Sequence, residues 1–248
     1  MTTPADDPWS RWRAATRARI GLGRSGDALP TSAQLEFQAA HSRARDAVHG
    51  AADFAALAAA LAPWDCIAVH SRAPDRATFL RRPDLGRRLV PESLPVLEAA
   101  RSDWDIAFVV ADGLSARAVE AHAVPLLRAC RARLGGLRLA PVVLAAQARV
   151  ALGDEIGAAL GAACIAVLVG ERPGLTAADS LGVYLTWAPQ PGRRDSERNC
   201  ISNIHGDGLG HDAAADILCW LLREASRRKL SGIGLKVDPA AIAGTLTG

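Results

Sequence analysis

The chain has 248 residues, half of them hydrophobic, with 22% charged residues and a net charge of +3. That is enough apolar chain for one sizeable core, and the near-neutral balance excludes both a disordered polyelectrolyte and a strongly basic nucleic-acid binder. No apolar run reaches the about 18 residues that a membrane-spanning helix requires, so a soluble protein is expected.

The opening stretch, MTTPADDPWSRWRAATRARI, carries acids before its arginines and no central apolar region, so it is not expected to act as a secretory signal. Residues 1–60 read as helical, with Trp9, Trp12 and Ile20 in the first segment and a turn at GLGRSGDALP. Thr31 or Ser32 is expected to cap a helix through LEFQAAHSRARDAV. Its apolar positions Leu35, Ala39, Ala44 and Val48 make only a thin stripe, which predicts that this helix docks on something.

From about residue 65 apolar runs of strand length alternate with helical stretches. The runs are CIAVHS, DIAFVVAD, PVVLAAQ, CIAVLVG and LGVYLTW; between the first four lie LPVLEAARS, SARAVEAHAVPLLRACRARL and GDEIGAALGAA. Runs apolar on both faces and separated by helices predict an α/β fold: a Rossmann-like, mostly parallel sheet flanked by helices, preceded by the short N-terminal helical segment. A last helix, HDAAADILCWLLREASRRKL, presents Ile217, Leu218, Leu221, Leu222 and Ala225 on one face, with Asp212 as its expected cap. The two expected units are 1–60 and 61–248, and the tail VDPAAIAGTLTG is read only as a loose terminus.

Ligands of open parallel sheets bind beyond the carboxyl ends of the strands. Four places qualify: Asp112-Gly113-Leu114-Ser115, Gln147-Ala148-Arg149-Val150, Gly170-Glu171-Arg172-Pro173-Gly174, and a long polar loop from Arg193 to Ile204. A carboxylate at the tip of a buried strand is costly unless paired, so Glu171 is either in an ion pair with a nearby arginine or an acceptor for a ligand's amide or hydroxyl groups. Asp112 is either part of a ligand loop or an ordinary strand-to-helix turn with Ser115 capping the next helix. Asn199 and Asn203 either brace their own loop or flank a large ligand. Cys200, His41 and His70 lack the neighbours of a nucleophilic set and read as structural. The five cysteines, Cys66, Cys130, Cys164, Cys200 and Cys219, show neither CxxC nor metal spacing, which points to a reducing cytosol. There is no phosphate loop, no GxSxG elbow and no metal cluster; GLGRSG stands outside the strand-to-helix context a dinucleotide fingerprint needs. The architecture is that of a ligand-binding protein without a self-contained catalytic set.

The segments VADGLSARAV, ARVALGDEIG, LVGERPGL, DSLGVYLTWAP, ERNCISNI and LSGIGLK, in this order, resemble the small (light) subunit of ethanolamine ammonia-lyase, and RARIGLGRSGDALPT…LEFQAAHSRARDAV extends the likeness over about residues 18–236. The resemblance implies a subunit of an adenosylcobalamin-dependent lyase that converts ethanolamine to acetaldehyde and ammonia. It implies a large-subunit partner that binds the substrate, a hetero-oligomer of six large and six small subunits, and a cofactor at their interface. It places Val150, Glu171 and Cys200 among the cobalamin-binding residues and assigns no catalytic and no metal-ligating residue to this chain. Absence of DxHxxG implies that the cofactor keeps its own base on cobalt. Residues 1–60, with Arg17, Arg19, Arg43 and Arg45, are the expected docking segment. The expected location is the cytoplasm, where some members of the family are linked to a bacterial microcompartment. The alternative is a stand-alone nucleotide-binding enzyme or sensor on a Rossmann-like sheet.

Overall fold

The computed structural model describes residues 7–238. Helices α1 (Ser10–Ala15), α2 (Thr31–His49) and α3 (Phe54–Leu61) precede strand β1 (Cys66–His70). There follow α4 (Arg76–Arg81), α5 (Leu94–Ala99), β2 (Ile106–Ala111), α6 (Ala116–Arg133), β3 (Val142–Ala146), α7 (Leu152–Leu160) and β4 (Cys164–Gly170). The chain ends with β5 (Leu181–Trp187), β6 (Arg198–Ile204), α8 (His211–Arg228) and a short 3-10 turn, Gly232–Gly234. Among the described residues no helix is long and apolar enough to cross a membrane.

One six-stranded sheet runs in the order β1-β3-β2-β4-β5-β6. The first four strands pair in parallel and the last two antiparallel. The expected α/β fold is therefore present, as a mixed sheet. The antiparallel pairs follow from the connections. A parallel neighbour needs a helical crossover, whereas residues 171–180 and 188–197 hold no α-helix and turn the chain straight back. The RNCISN segment, expected as part of a polar loop, is strand β6. Its polar residues mislead because it is the edge strand, with Ile201 and Ile204 buried and Cys200, Ser202 and Asn203 exposed.

Every residue of β2 and β4 is buried, because helices cover both faces. Alternation divides their side chains. Ile106, Phe108, Val110, Ala166 and Leu168 face α3, α6 and α8, while Ala107, Val109, Ala111, Ile165 and Val167 face α5 and α7. The chain moves from β2 to β3 in one direction along the sheet and from β3 to β4 in the other. Two crossovers of the same hand must then lie on opposite faces, which is where α6 and α7 are. The reversal leaves a crevice beyond the carboxyl ends of β2, β3 and β4.

Ser115 caps α6 as expected, accepting the Ala118 N–H at 3.2 Å. Two other caps differ. Pro30 stands at the start of α2 and Gly210 at the start of α8, and neither helix has a side-chain cap. Asp212 instead meets Arg133 of α6 at 3.0 Å, a tie between helices that replaces a local one. In α2 the buried positions are Ala40 and Ala47, with Ala44 and Val48 half-buried, while Leu35 and Ala39 point outward. The docking stripe is made of small residues, so α2 lies close to the domain and leaves its larger side chains free.

Candidate site at the carboxyl ends of the strands

Two glycines let β2 and β4 end against each other. Gly113 has φ +54, and a Cβ there would stand 2.4 Å from the Gly170 carbonyl oxygen; a Cβ at Gly170 would meet the Ser115 oxygen at 2.1 Å. The Leu114 N–H donates to the Gly170 carbonyl at 2.8 Å, closing the floor of the crevice. Asp112, just before, is buried. It accepts the Ala148 N–H at 3.1 Å and lies 3.5 Å from Arg76, so it clamps the end of β2 to the end of β3. Burial pushes its carboxyl pKa up against those interactions. The turn-building alternative holds for this residue, and its partner is the loop after β3 rather than its own turn. Gln147, which follows β3, takes a left-handed backbone, φ 53, which swings the next residues over the crevice.

Glu171 is half-buried and forms no ion pair with Arg172 or any other described arginine. Its Oε2 accepts the Ser180 hydroxyl at 2.5 Å and the Asn203 N–H at 3.3 Å. Asn203 presents that N–H because its backbone is left-handed, φ 63, a conformation asparagine tolerates. Among the described residues Oε1 has no hydrogen-bond partner. The ion-pair expectation is thus replaced by two neutral donors, and one carboxylate oxygen stays open.

Val150, half-buried, lies in the turn just before α7. Cys200, exposed, stands opposite Tyr184 across the β5–β6 pair. Tyr184 is the centre of the arrangement and was not singled out in the sequence, where a tyrosine in an apolar strand reads as core. A cavity of about 300 Å³ is lined by Gly113, Leu114, Val150, Gly170, Glu171 and Tyr184, together with Arg149 and Arg172. A second cavity, of about 190 Å³, adjoins it and shares Arg149, Val150 and Tyr184. Burial, and then the neighbouring Cys200 thiol and Glu171 carboxylate, hold the tyrosine's phenol pKa above its usual range, so it is a neutral hydroxyl near pH 7.

The strand carrying Cys200 is anchored by a buried ion pair. Both guanidinium Nη atoms of Arg198 lie 2.7 Å from the Asp154 carboxylate of α7, and Arg198 also donates to the Thr186 hydroxyl at 2.9 Å. Side-chain exposure of the pair is 2% and 3%. The arrangement is bidentate and buried, so it fixes β6 relative to α7, which follows Val150. Asn199 bonds the 3-10 turn, through Gly232 N at 2.8 Å and Leu235 O at 2.6 Å, so this asparagine braces its own chain. His41 stacks on Phe37 and His70 bonds Ser71 O at 2.5 Å; neither reaches the crevice rim.

The rim mixes apolar and charged surface, with Arg149 and Arg172 beside Glu171. It offers Val150, Leu114 and Tyr184 as apolar surface, Glu171 Oε1 as an acceptor, and the Tyr184 hydroxyl as a donor. It offers no catalytic triad.

The model of the ethanolamine ammonia-lyase light chain matches residues 6–236. The chain is 54% identical over 243 residues to the ethanolamine ammonia-lyase small subunit of Xanthomonas campestris pv. campestris, covering 95% of this chain and 89% of that protein. It is 52% identical over 238 residues to the small subunit of Pseudomonas syringae pv. tomato, covering 93% and 83%. With a match across nearly the whole chain, it belongs to the ethanolamine ammonia-lyase small-subunit (light-chain) family.

Proposed function

We propose that this chain forms one wall of an adenosylcobalamin site, and that a large subunit supplies the other wall and holds ethanolamine. Val150, Glu171 and Cys200 are the cofactor-binding residues of this chain. The observation that carries the reading is their convergence. They come from three separate segments: Val150 and Glu171 line one cavity with Tyr184, and Cys200 stands opposite Tyr184 on the neighbouring strand. The cavity there, about 300 Å³, is at the low end for a drug-sized ligand, so it takes an edge of a corrinoid and leaves the rest for a partner to cover.

The bound cofactor supplies the radical chemistry of the lyase reaction. The residues of this chain bind and orient. Glu171 Oε1 accepts from corrin amide N–H groups. Its second oxygen is held by Ser180 and Asn203, which fixes the carboxylate plane. Val150 and Tyr184 give an apolar face that keeps water from the ring edge, and Cys200 extends that face along β6.

Residues 1–60 dock on the large subunit in this reading. Trp12, Leu35 and Phe37 are 58%, 59% and 45% exposed, and Arg43 and Arg45 are exposed beside them. Arg17 and Arg19 bond within this chain instead: Arg17, though exposed, pairs with Asp207 at 2.8 Å, and Arg19 donates to Leu175 O at 3.3 Å. Those two arginines tie the segment to the domain, which leaves partner contact to α1 and α2. The cytoplasm is the proposed location.

The test is an absorbance titration of the assembled enzyme with adenosylcobalamin. Glu171→Ala should weaken cofactor binding by about tenfold, the loss of one or two hydrogen bonds to a charged acceptor. Unchanged affinity removes Glu171 from the site. Ethanolamine turnover by the isolated chain overturns the subunit reading in favour of a stand-alone enzyme.

A further inference from the structure

Arg149 has an unmet need. Its guanidinium carries five donors, yet among the described residues it makes no hydrogen bond and no ion pair, and its buried Nε has no partner. It is held in place all the same. Its backbone N–H donates to Gly86 O at 2.8 Å, and its guanidinium lies 4.3 Å from the centre of the Phe79 ring. Phe79 is fully buried, and Arg76 sits 4.9 Å from the centre of the same ring. A pre-set, unpaired arginine is costly unless something binds it.

The surroundings are positive. Burial lowers the Arg149 pKa, and the neighbouring charges of Arg76, Arg87 and Arg172 lower it further. Arg76 is committed to Val48 O at 2.7 Å, Gly113 O at 2.8 Å and Asp112. Arg87 lines the cavity of about 190 Å³ with Arg149, Val150 and Ala151. Among the described residues the N–H groups of Val150 and Ala151, at the start of α7, have no hydrogen-bond partner, and they stand at the positive end of the helix dipole. The one carboxylate lining this cavity, Asp195, lies 3.6 Å from Arg198. Glu171 belongs to the neighbouring cavity.

We propose that Arg149, with Arg87, is the anion seat of the cofactor site and binds the phosphodiester that joins the corrin to its nucleotide base. This rests on the cobalamin reading above. The ring's side chains are neutral amides, so the phosphodiester is the group of that cofactor that matches a cluster of unpaired arginines. The two adjoining cavities then divide the work: the larger takes the ring edge at Glu171 and Tyr184, the smaller takes the phosphate. Arg149 is thereby a specificity residue, since it distinguishes a complete corrinoid from one lacking the nucleotide loop.

The experiment compares affinities of the assembled enzyme for cobalamin and for cobinamide, which has the ring and its amides but no phosphodiester. Arg149→Met keeps the stem on Phe79 and removes the charge. It should weaken cobalamin roughly ten- to hundredfold, the loss of charge-assisted hydrogen bonds, and leave cobinamide unchanged. Equal weakening of both corrinoids, or of neither, overturns the proposal. Glu171→Gln and Glu171→Ala should weaken both corrinoids alike; if neither variant affects either ligand, the cobalamin reading itself fails, separately from the anion seat. Should Arg149→Met prevent assembly, inorganic phosphate serves as competitor against the unaltered enzyme. It must weaken cobalamin and spare cobinamide, and competition against both or neither counts against the anion seat.

Discussion

At the scale of single residues, the site depends on polar groups whose partners lie far along the chain. Asp154 and Arg198 are 44 residues apart and almost wholly buried. Removing one partner strands the other charge in the core. Asp154→Ala should therefore cost about 3–5 kcal/mol, measured as a shift in the urea midpoint. The double change Asp154→Leu with Arg198→Met should recover much of that loss, because no buried charge remains. Glu171 shows how far sequence reasoning reaches at this scale. A carboxylate after a wholly apolar strand needs partners, and that much is legible. Which partners is not, because Asn203 arrives from 32 residues away on a strand that reads as a loop. Arg149 was legible only as one residue of a strand-end segment; its orphaned donors come from tertiary packing on Phe79.

At the scale of elements, α6 and α8 meet through a histidine pair. His122 Nδ1 and His211 Nε2 are 3.0 Å apart, and Asp179, on the loop that carries Ser180, lies 3.8 Å from His122. His205 lies near enough to bear on His122 as well. Burial first, and then His211, hold the His122 pKa below its ordinary 6.5, while Asp179 pulls the other way. A histidine depressed in the folded state binds its proton more readily when unfolded, so its contribution is present above about pH 6.5 and is lost as pH falls through the folded value. Thermal unfolding should occur at progressively lower temperature from about pH 7.5 to pH 5.5, and His122→Gln should flatten that slope. A steeper slope in the variant contradicts this account. The helices themselves were readable, since α6 and α8 each bury one apolar face. The contact between their histidines was not, because helical periodicity says which face turns inward and nothing about which helix it meets.

At the scale of the whole molecule, the sheet presents a crevice lined by its strand ends. The crevice stands where the strand order reverses, as expected for an open parallel sheet. An exposed region lies at the other end of the sequence argument, on α1 and α2. If these helices dock on the large subunit, Leu35→Asp with Phe37→Ser should abolish co-purification with that subunit while leaving the chain's own melting temperature within about 2 °C, since both side chains are exposed. A large fall in melting temperature would instead show that they pack within this chain.

By itself the sequence determined the α/β class, the positions of β2, β3, β4 and β5, the long helices α6 and α8, and the strand ends that line the crevice. These follow from period and composition, which local chemistry writes into every few residues. The tertiary structure alone decided the antiparallel turn at β5, the edge strand β6, the strand order, and the gathering of Val150, Glu171 and Cys200 around Tyr184. Strand pairing joins residues remote in sequence, and an edge strand with one wet face carries too few apolar residues to declare itself. The partners of buried charges belong to the same class: a carboxylate in the sequence states that a partner must exist, and only the packed sheet brings that partner near.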